Sequence, residues 1–480
     1  MKKTLFNVAA LSFFISCGNP QSYEPLKEQK QGQTVVASKW KKVKDYLGLK
    51  NKQTTPLEFK QDNPNHKKLK ERLEKEWLGQ DFTGELVSFE EFGTKNQQEN
   101  SIFYRYPQTE GSNKKPEELE AKLWLVSYRK KPCAENDTFI HHALVSIPNQ
   151  STETKKPIIF FAHGNDQGIS SKNLASSVGE NQNTHVIVAP AFPGEPVLKE
   201  SSLNLTWKYK NENIYQDKKS GESLPWVNDS DDLLLIAKVL DDVFTKDDSV
   251  KNEVEQNLTQ HLNDKVLFNE DGMLNKQLFG TSRGGLSASL AVAKTGLFNQ
   301  KGRKNDVPQF SKLTILSSPT TTTAGNFLET LEFVIKGESS LYDMLPCTKR
   351  LKEVFQDFRD KKGDDLTELE DACFEIARRD LAFSSPYLKE AFHFSGEKEK
   401  NIYFLFHTQD KIIKAENKEF FEYLTNDFKN IVKIVSFGDE DSKNLKFEFH
   451  LTKKFWSESL TTDMDGEKSP ANILSEIFNS

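Results

Sequence analysis

The clearest pattern in the chain is a series of six short, largely apolar runs: residues 157–162 (PIIFFA), 185–192 (HVIVAPAF), 278–280 (LFG), 312–317 (KLTILS), 402–406 (IYFLF) and 431–437 (IVKIVSF). A run that is apolar on both faces predicts a strand buried between helices, as in a parallel sheet. Helical spacing fills several of the intervals. Leu233, Ile236, Leu240 and Phe244 recur at helical period over 231–244, with Asn228 and Asp229 available before them as N-caps. Strands alternating with helices argue for an open α/β sheet with right-handed crossovers. Upstream, residues 85–106, 123–128 and 141–148 alternate apolar and polar positions and read as antiparallel leading strands of the same sheet. Leu69, Leu73 and Trp77 fall at i, i+4, i+8 within 65–82, with Lys and Glu between them. That spacing predicts an amphipathic helix packed on the main body, a partner-binding helix being the lesser reading. A short helix over 39–47 is also compatible with the pattern. The fold class expected is therefore α/β: a mostly parallel central sheet with helices on both faces.

Between the fourth and fifth parallel runs lies an insertion, 319–394, that reads as a helical cap. It holds two helical patterns, 349–360 with Leu351, Phe355 and Phe358, and 366–379 with Leu369, Cys373 and Ile376, joined by a turn at 361–365. In an antiparallel helical hairpin, residues equidistant from the turn face each other. The midpoint of Cys347 and Cys373 falls at 360, beside the turn, so these two can pair as a disulfide; the alternative is two separate buried thiols.

The N-terminus adds an address to this α/β body. Lys2 and Lys3 precede a short apolar core, 5–15, which is too short to span a bilayer, and Phe14-Ile15-Ser16-Cys17 follows. This resembles a bacterial lipoprotein signal, in which the Cys is acylated and becomes the new N-terminus; an ordinary cleaved signal with a bystander Cys is the alternative. The organisation expected is thus a signal peptide over 1–17 and a polar tether over 18–55. An N-terminal helix and leading strands follow over 56–138, then the main body over 139–480. The location implied is the bacterial cell envelope, at the periplasmic or outer-membrane face, or the exterior if Cys17 is not lipidated. Four cysteines are present, and Cys133 is left over as a buried free thiol. A net charge of −6 over 480 residues gives no sign of a nucleic-acid partner, and a mean hydropathy of −0.65 fits a wet, Lys-rich surface.

The candidate chemistry centres on Gly280-Thr281-Ser282-Arg283-Gly284-Gly285, which follows an apolar run and leads into a stretch of small and apolar residues. A strand, then G-x-S-x-G, then a helix, is a nucleophile elbow: the serine occupies a strained turn, and the flanking glycines avoid clashes between strand and helix. The Arg283 backbone N–H, at the helix start, is then placed to stabilise a developing oxyanion. A serine nucleophile needs a base and an acid that orients it. Asp410, just past the apolar run 402–406, is the candidate acid, with Glu416 in reserve. His450, after the last run, is the candidate base, and His407 and His393 are its rivals. Asp439, Glu440 and Asp441 read as a solvated acidic loop, with a substitute acid as the other option. The turn after the first parallel run, His163-Gly164-Asn165-Asp166-Gln167-Gly168, offers Asn165 N–H as a second oxyanion donor, while His163 reads as a brace for that turn.

Together, Ala162-His163-Gly164, the elbow around Ser282, Gln409-Asp410 and His450 resemble the α/β-hydrolase superfamily, from about residue 139 to the C-terminus. The second glycine after the elbow and the D-x-x-I turn at Asp410 are similar to its prolyl-oligopeptidase and dienelactone-hydrolase-like branches. The resemblance implies an α/β-hydrolase fold and a serine hydrolase acting on a carboxylic ester or other acyl bond of a small-molecule ester or peptide. It implies no metal and no organic cofactor. Two further readings stay open: a prolyl-oligopeptidase-like serine peptidase, and a non-catalytic binding protein of the same fold held at the membrane by its lipid. No paired-Glu motif for a peptide N-terminus is found, and the N-terminal portion is too short for a β-propeller.

Replacement of Cys17 by Ala is expected to move the protein from the membrane to the soluble fraction of a fractionated cell while leaving its activity intact. Retention in the membrane fraction would rule out the lipid anchor.

Overall fold

The structure, a computed structural model, describes residues 41–49, 57, 59–91, 121–131, 140–149, 154–164, 179–192, 208–209, 212–213, 225–316, 369–371, 373–374, 377–378, 387–392, 401–407, 426, 432–437, 460–462, 466–468 and 470–480. Its strands are β1 (Gly84–Glu91), β2 (Ala121–Lys130), β3 (His141–Pro148), β4 (Ile158–Ala162) and β5 (Ile187–Pro190), then β6 (Lys208–Tyr209) and β7 (Glu212–Asn213). These are followed by β8 (Lys276–Thr281), β9 (Lys312–Leu316), β10 (Ile402–His407), β11 (Val432–Phe437), β12 (Leu460–Thr462) and β13 (Gly466–Lys468). The helices are α1 (Pro64–Leu78), α2 (Pro225–Thr245), α3 (Glu253–Leu262), α4 (Arg283–Gln300), α5 (Tyr387–Ala391) and α6 (Pro470–Asn479).

Each of the six apolar runs becomes a strand, and the six lie side by side in one 11-stranded sheet of order β1-β2-β3-β5-β4-β8-β9-β10-β11-β12-β13. From β5 through β4, β8, β9 and β10 to β11 every neighbouring pair is parallel. The leading strands β1, β2 and β3 pair antiparallel with one another, and β3 pairs antiparallel with β5. A hairpin, β12–β13, closes the far edge in antiparallel fashion. This is the expected α/β architecture, a mostly parallel sheet with an antiparallel leading edge. Successive residues of the central strands serve opposite faces. Ile158, Phe160 and Leu278 join the large core under α2 and α4. Ile159, Phe161 and Phe279 pack on the other face with Ile473, Leu474, Ile477 and Phe478 of α6. Helices therefore cover both faces, as expected.

The leading helix α1 buries Leu69, Leu73 and Trp77 as its spacing predicts; Asn63 caps it by accepting from the Asn65 N–H at 2.9 Å, and Pro64 opens its first turn. It rests on the body, and its outer face meets the helical residues 369–371, 373–374 and 377–378. Arg72 pairs with Asp371 at 2.6 Å, and Arg378 pairs with Glu76. Residues 41–47 form the short helix that the sequence allowed.

One expectation is corrected. The helix expected over 231–244 begins six residues earlier, at Pro225, so Asn228 and Asp229 lie inside it and are not its caps. Proline suits a first helical position because its φ is preset and it has no N–H to leave unpaired there. The expected pairing of Cys373 with Cys347 falls on a residue outside those described; Cys373 itself is a thiol fully buried in the main core, where desolvation pushes its ionisation far upward. Outside the described residues lie Cys17, Cys133, the signal segment and, within the tether, residues 18–40 and 50–55. The strand pattern does not predict β12 and β13, because three residues are too few to show a period. Among the described residues no helix is long and apolar enough to cross a membrane.

Two tight contacts bind elements of the body together. A Cβ built on Gly296 would stand 1.7 Å from the Tyr387 carbonyl oxygen, so α5 sits directly on the backbone of α4. Beneath it, Lys276 at the start of β8 is fully buried and donates to both carboxylate oxygens of Asp241 in α2 at 2.6 Å, and to the Leu274 carbonyl at 3.0 Å. Asp241 also accepts from the Leu274 N–H at 3.2 Å. Lys276→Met would strand a buried carboxylate and is expected to cost about 3–5 kcal/mol of stability, read as a lower urea midpoint. The double change Lys276→Met with Asp241→Asn keeps an acceptor for Leu274 and is expected to recover most of that loss.

Candidate active site

Strand β8 lies in the interior of the sheet, between β4 and β9. In open α/β sheets the carboxyl ends of such strands face the site. Ser282 stands at that end of β8, one residue past Thr281 and one before the start of α4. Its backbone has φ 50° and ψ −124°, and it is the one non-glycine residue with positive φ among those described. A side chain held in that region costs about 1–3 kcal/mol, so the surroundings must impose it.

They do so from three sides. The Ser282 N–H donates to the Leu316 carbonyl at the end of β9, 3.0 Å away, and the Ser282 carbonyl accepts from Gly285 N–H at 3.0 Å. A Cβ on Gly284 would stand 2.0 Å from the Ala162 carbonyl oxygen at the end of β4, and one on Gly280 would stand 2.5 Å from the Gly284 oxygen. Both glycines of the motif are thus required by backbone packing: Gly280 brings α4 back over its own strand, and Gly284 lets it touch the next one. The Ser282 side chain makes no capping bond to α4, and the residue is half-buried. Behind it is the N-terminus of α4, opening at Arg283, where the helix dipole favours negative charge.

The Arg283 side chain turns inward. Its Nε donates to Asp229 Oδ2 and its Nη2 to Oδ1, both at 2.8 Å, and Ser287 Oγ donates to Asp229 Oδ2 at 3.1 Å. Asp229 has no exposed side-chain surface and Arg283 has 8 %. Sequence reasoning placed Asp229 at a helix cap and missed this partnership. The available signal was the Arg itself: a guanidinium just behind a buried elbow needs a counter-charge, and 229–232 (DSDD) is the acidic run that opens α2.

His163, immediately after β4, is fully buried; its Nδ1–H donates to the Gly164 carbonyl at 2.9 Å, and its ring packs on Phe192 at 4.5 Å between centroids. Its Nε2 has no partner among the described residues. Burial pushes its pKa down to about 3, with the nearby Arg283 charge adding to the effect, so the ring is neutral at physiological pH. That geometry is a brace for the turn after β4.

Of the remaining expected site residues, Asn165, Asp410 and His450 lie outside the described residues, as do Glu416 and His393. Their chain positions relative to the sheet are nevertheless defined. Asp410 comes three residues after His407, the last residue of β10, and His450 falls between β11 and β12. Among the described residues no group of His, Cys, Asp and Glu is arranged to hold a metal ion.

No protein-family model matches the chain, and comparison with curated proteins finds no match. Among solved structures, the chain is similar to acetyl xylan esterase 1 from Thermoanaerobacterium sp., at 14% identity and a TM-score of 0.35, covering 82% of this chain and 90% of that one. It is also similar to the rice cell wall degrading esterase LipA from Xanthomonas oryzae, at 12% identity and a TM-score of 0.36, covering 77% and 93%. A third is a putative hydrolase from Legionella pneumophila, at 15% identity and a TM-score of 0.33, covering 73% and 90%.

The depressed pKa of His163 gives a pH test. The unfolded ring, with a pKa near 6.5, takes up a proton as the pH falls, and the folded ring does not until about pH 3. The stability it contributes is present above pH 6.5 and is lost as the pH drops through the window between those values. Relative to a His163→Asn variant, which can keep the bond to Gly164, the wild type is expected to lose about 1.4 kcal/mol more per pH unit in urea titrations between about pH 6 and 4. Equal slopes would show that the ring is already protonated in the fold.

Proposed function

We propose that this protein is an exported serine hydrolase that cleaves a carboxylic ester or related acyl bond, with Ser282 as the nucleophile. The observation that supports this best is the backbone of Ser282: a serine in the positive-φ region, at the carboxyl end of a central strand, with a helix N-terminus directly behind it. Strain of that kind is kept where geometry serves a task, and the packing of Gly280 and Gly284 forces it here.

In this reading Ser282 Oγ attacks the acyl carbonyl while His450 takes its proton. The carbonyl oxygen becomes an oxyanion held by the N–H groups of Arg283 and Asn165. Collapse of the tetrahedral species breaks the bond to the alcohol, which leaves with the proton from His450. Water then attacks the acyl-enzyme by the same steps in reverse order, releasing the acid and restoring Ser282. Asp410 orients His450 and stabilises its charged form. The order Ser282, Asp410, His450 follows the strand order β8, β10, β11, so each group comes after the carboxyl end of a strand in one parallel set. The neutral, buried His163 takes no part in proton transfer. Residues 14–17 support export and attachment through a lipid on Cys17.

A fluorophosphonate probe and p-nitrophenyl acetate test the reading together. Ser282→Ala is expected to abolish both labelling and turnover, and His450→Ala to lose nearly as much. Asp410→Asn is expected to fall by roughly 10⁴-fold, by analogy with another serine hydrolase, because the base is held in the wrong tautomer. Turnover should decline at acid pH with an apparent midpoint of about 6 to 7 as His450 takes a proton. Full turnover in Ser282→Ala would sink the proposal, and loss in His407→Ala with retention in His450→Ala would move the base to His407.

A further inference from the structure

Four consecutive residues near the start of α2 each reach a different part of the body. Asp229 holds Arg283 and Ser287 in the first turns of α4. Ser230 Oγ accepts from Lys294 Nζ at 2.9 Å, and Asp231 pairs with the same ammonium. Asp232 pairs with His141 Nδ1 of β3 at 2.8 Å. Successive helical residues point in directions about 100° apart, so this end of α2 is gripped around its circumference. Asp229 is the member directed at the elbow, and the activity described above does not yet use it.

We propose that Asp229 is a positioning residue for the reaction at Ser282, acting through Arg283. This rests on the reading of Ser282 as nucleophile. The Arg283 backbone N–H is useful only if it points at the place where the oxyanion forms, and tolerances there are small. A first helical residue is free to fray, because its N–H has no partner within the helix. Here the side chain of that residue is held at two points by a planar, bidentate carboxylate that is itself fully buried. Ser287, one turn on, donates its single hydroxyl proton to that carboxylate at 3.1 Å, with the Arg283 carbonyl a second, longer acceptor at 3.3 Å. Asp229, Arg283 and Ser287 therefore form a closed ring across the first turn of α4. Rotation of that turn, and so of the Arg283 N–H, would have to break it. Since α2 is anchored elsewhere by Asp231, Asp232 and Asp241, the carboxylate is a fixed reference for the turn.

The test compares activity with stability in four proteins. Wild type is first shown to be labelled by the fluorophosphonate at Ser282; absence of labelling overturns the nucleophile reading and this proposal with it. Asp229→Asn is then expected to lower kcat for p-nitrophenyl acetate and the labelling rate constant by about 10²-fold, with KM changed far less. Ser287→Ala, which removes one bond of the ring and leaves the ion pair, is expected to lower kcat by a smaller factor. Because Asp229→Asn leaves a buried guanidinium without its counter-charge, it is paired with Asp229→Asn/Arg283→Met, which removes both charges and is expected to restore the urea midpoint. If Asp229 positions the elbow, the double variant stays slow although it is stable. If kcat returns with stability, or if neither Asp229→Asn nor Ser287→Ala slows labelling, Asp229 is structural only and the proposal fails.

Discussion

The close approach of a helix to the strand that precedes it governs this molecule. At Gly280 and Gly284 the backbones of α4, β8 and β4 come within distances that no Cβ could occupy. That approach turns the chain sharply at Ser282 and drives its φ positive. Once the turn is made, the serine stands clear of the sheet with helical N–H groups behind it. The bond from the Ser282 N–H to the Leu316 carbonyl extends the constraint to β9. Three adjacent parallel strands thus converge on one residue, and displacement of any of them would be felt there.

Charge buried beneath the surface keeps those elements in register. Lys276 with Asp241 ties β8 to α2, Arg283 with Asp229 ties α4 to α2, and Lys294 with Ser230 and Asp231 does so again farther along α4. Each pair carries a desolvation cost that apolar packing would avoid, so such pairs are weak as sources of stability. Their value lies in direction: a bidentate carboxylate accepts only one orientation of its partner, whereas a leucine accepts many. The body uses apolar surface for cohesion and these pairs to set how the helices lie.

The fold was legible because its strands are buried on both faces. Phe160 and Phe161, adjacent in sequence, serve opposite cores, and that is why the run around them is apolar without alternation. The elbow was legible for a related reason, since its glycines answer to backbone contacts that no other residue could make. What sequence reading missed was relational. Asp229 has the composition of a helix cap, and only the neighbourhood of Arg283 distinguishes a cap from a counter-ion. Spacing likewise says nothing about which wall of a helix is buried, and Cys373 lies in the main core. The β12–β13 hairpin failed to register because its strands are shorter than a readable pattern.

The seating of α5 on Gly296 has an evolutionary consequence. The chain leaves the sheet after Leu316 and is back on the body at Tyr387, where its carbonyl oxygen would lie 1.7 Å from any Cβ at 296. Both ends of residues 317–386 are therefore held by the scaffold rather than by each other. The free energy of closing a loop between fixed ends grows only logarithmically with its length. The pair that this segment makes with α1 through Arg72 and Asp371 is partly exposed and contributes little. Leu369, Cys373, Phe374 and Ala377 of this segment are buried in the main core, so a lineage could change its length only away from them. The same lineage could not place a side chain at position 296. Variation in length is thus channelled away from position 296 and from the turn at Ser282.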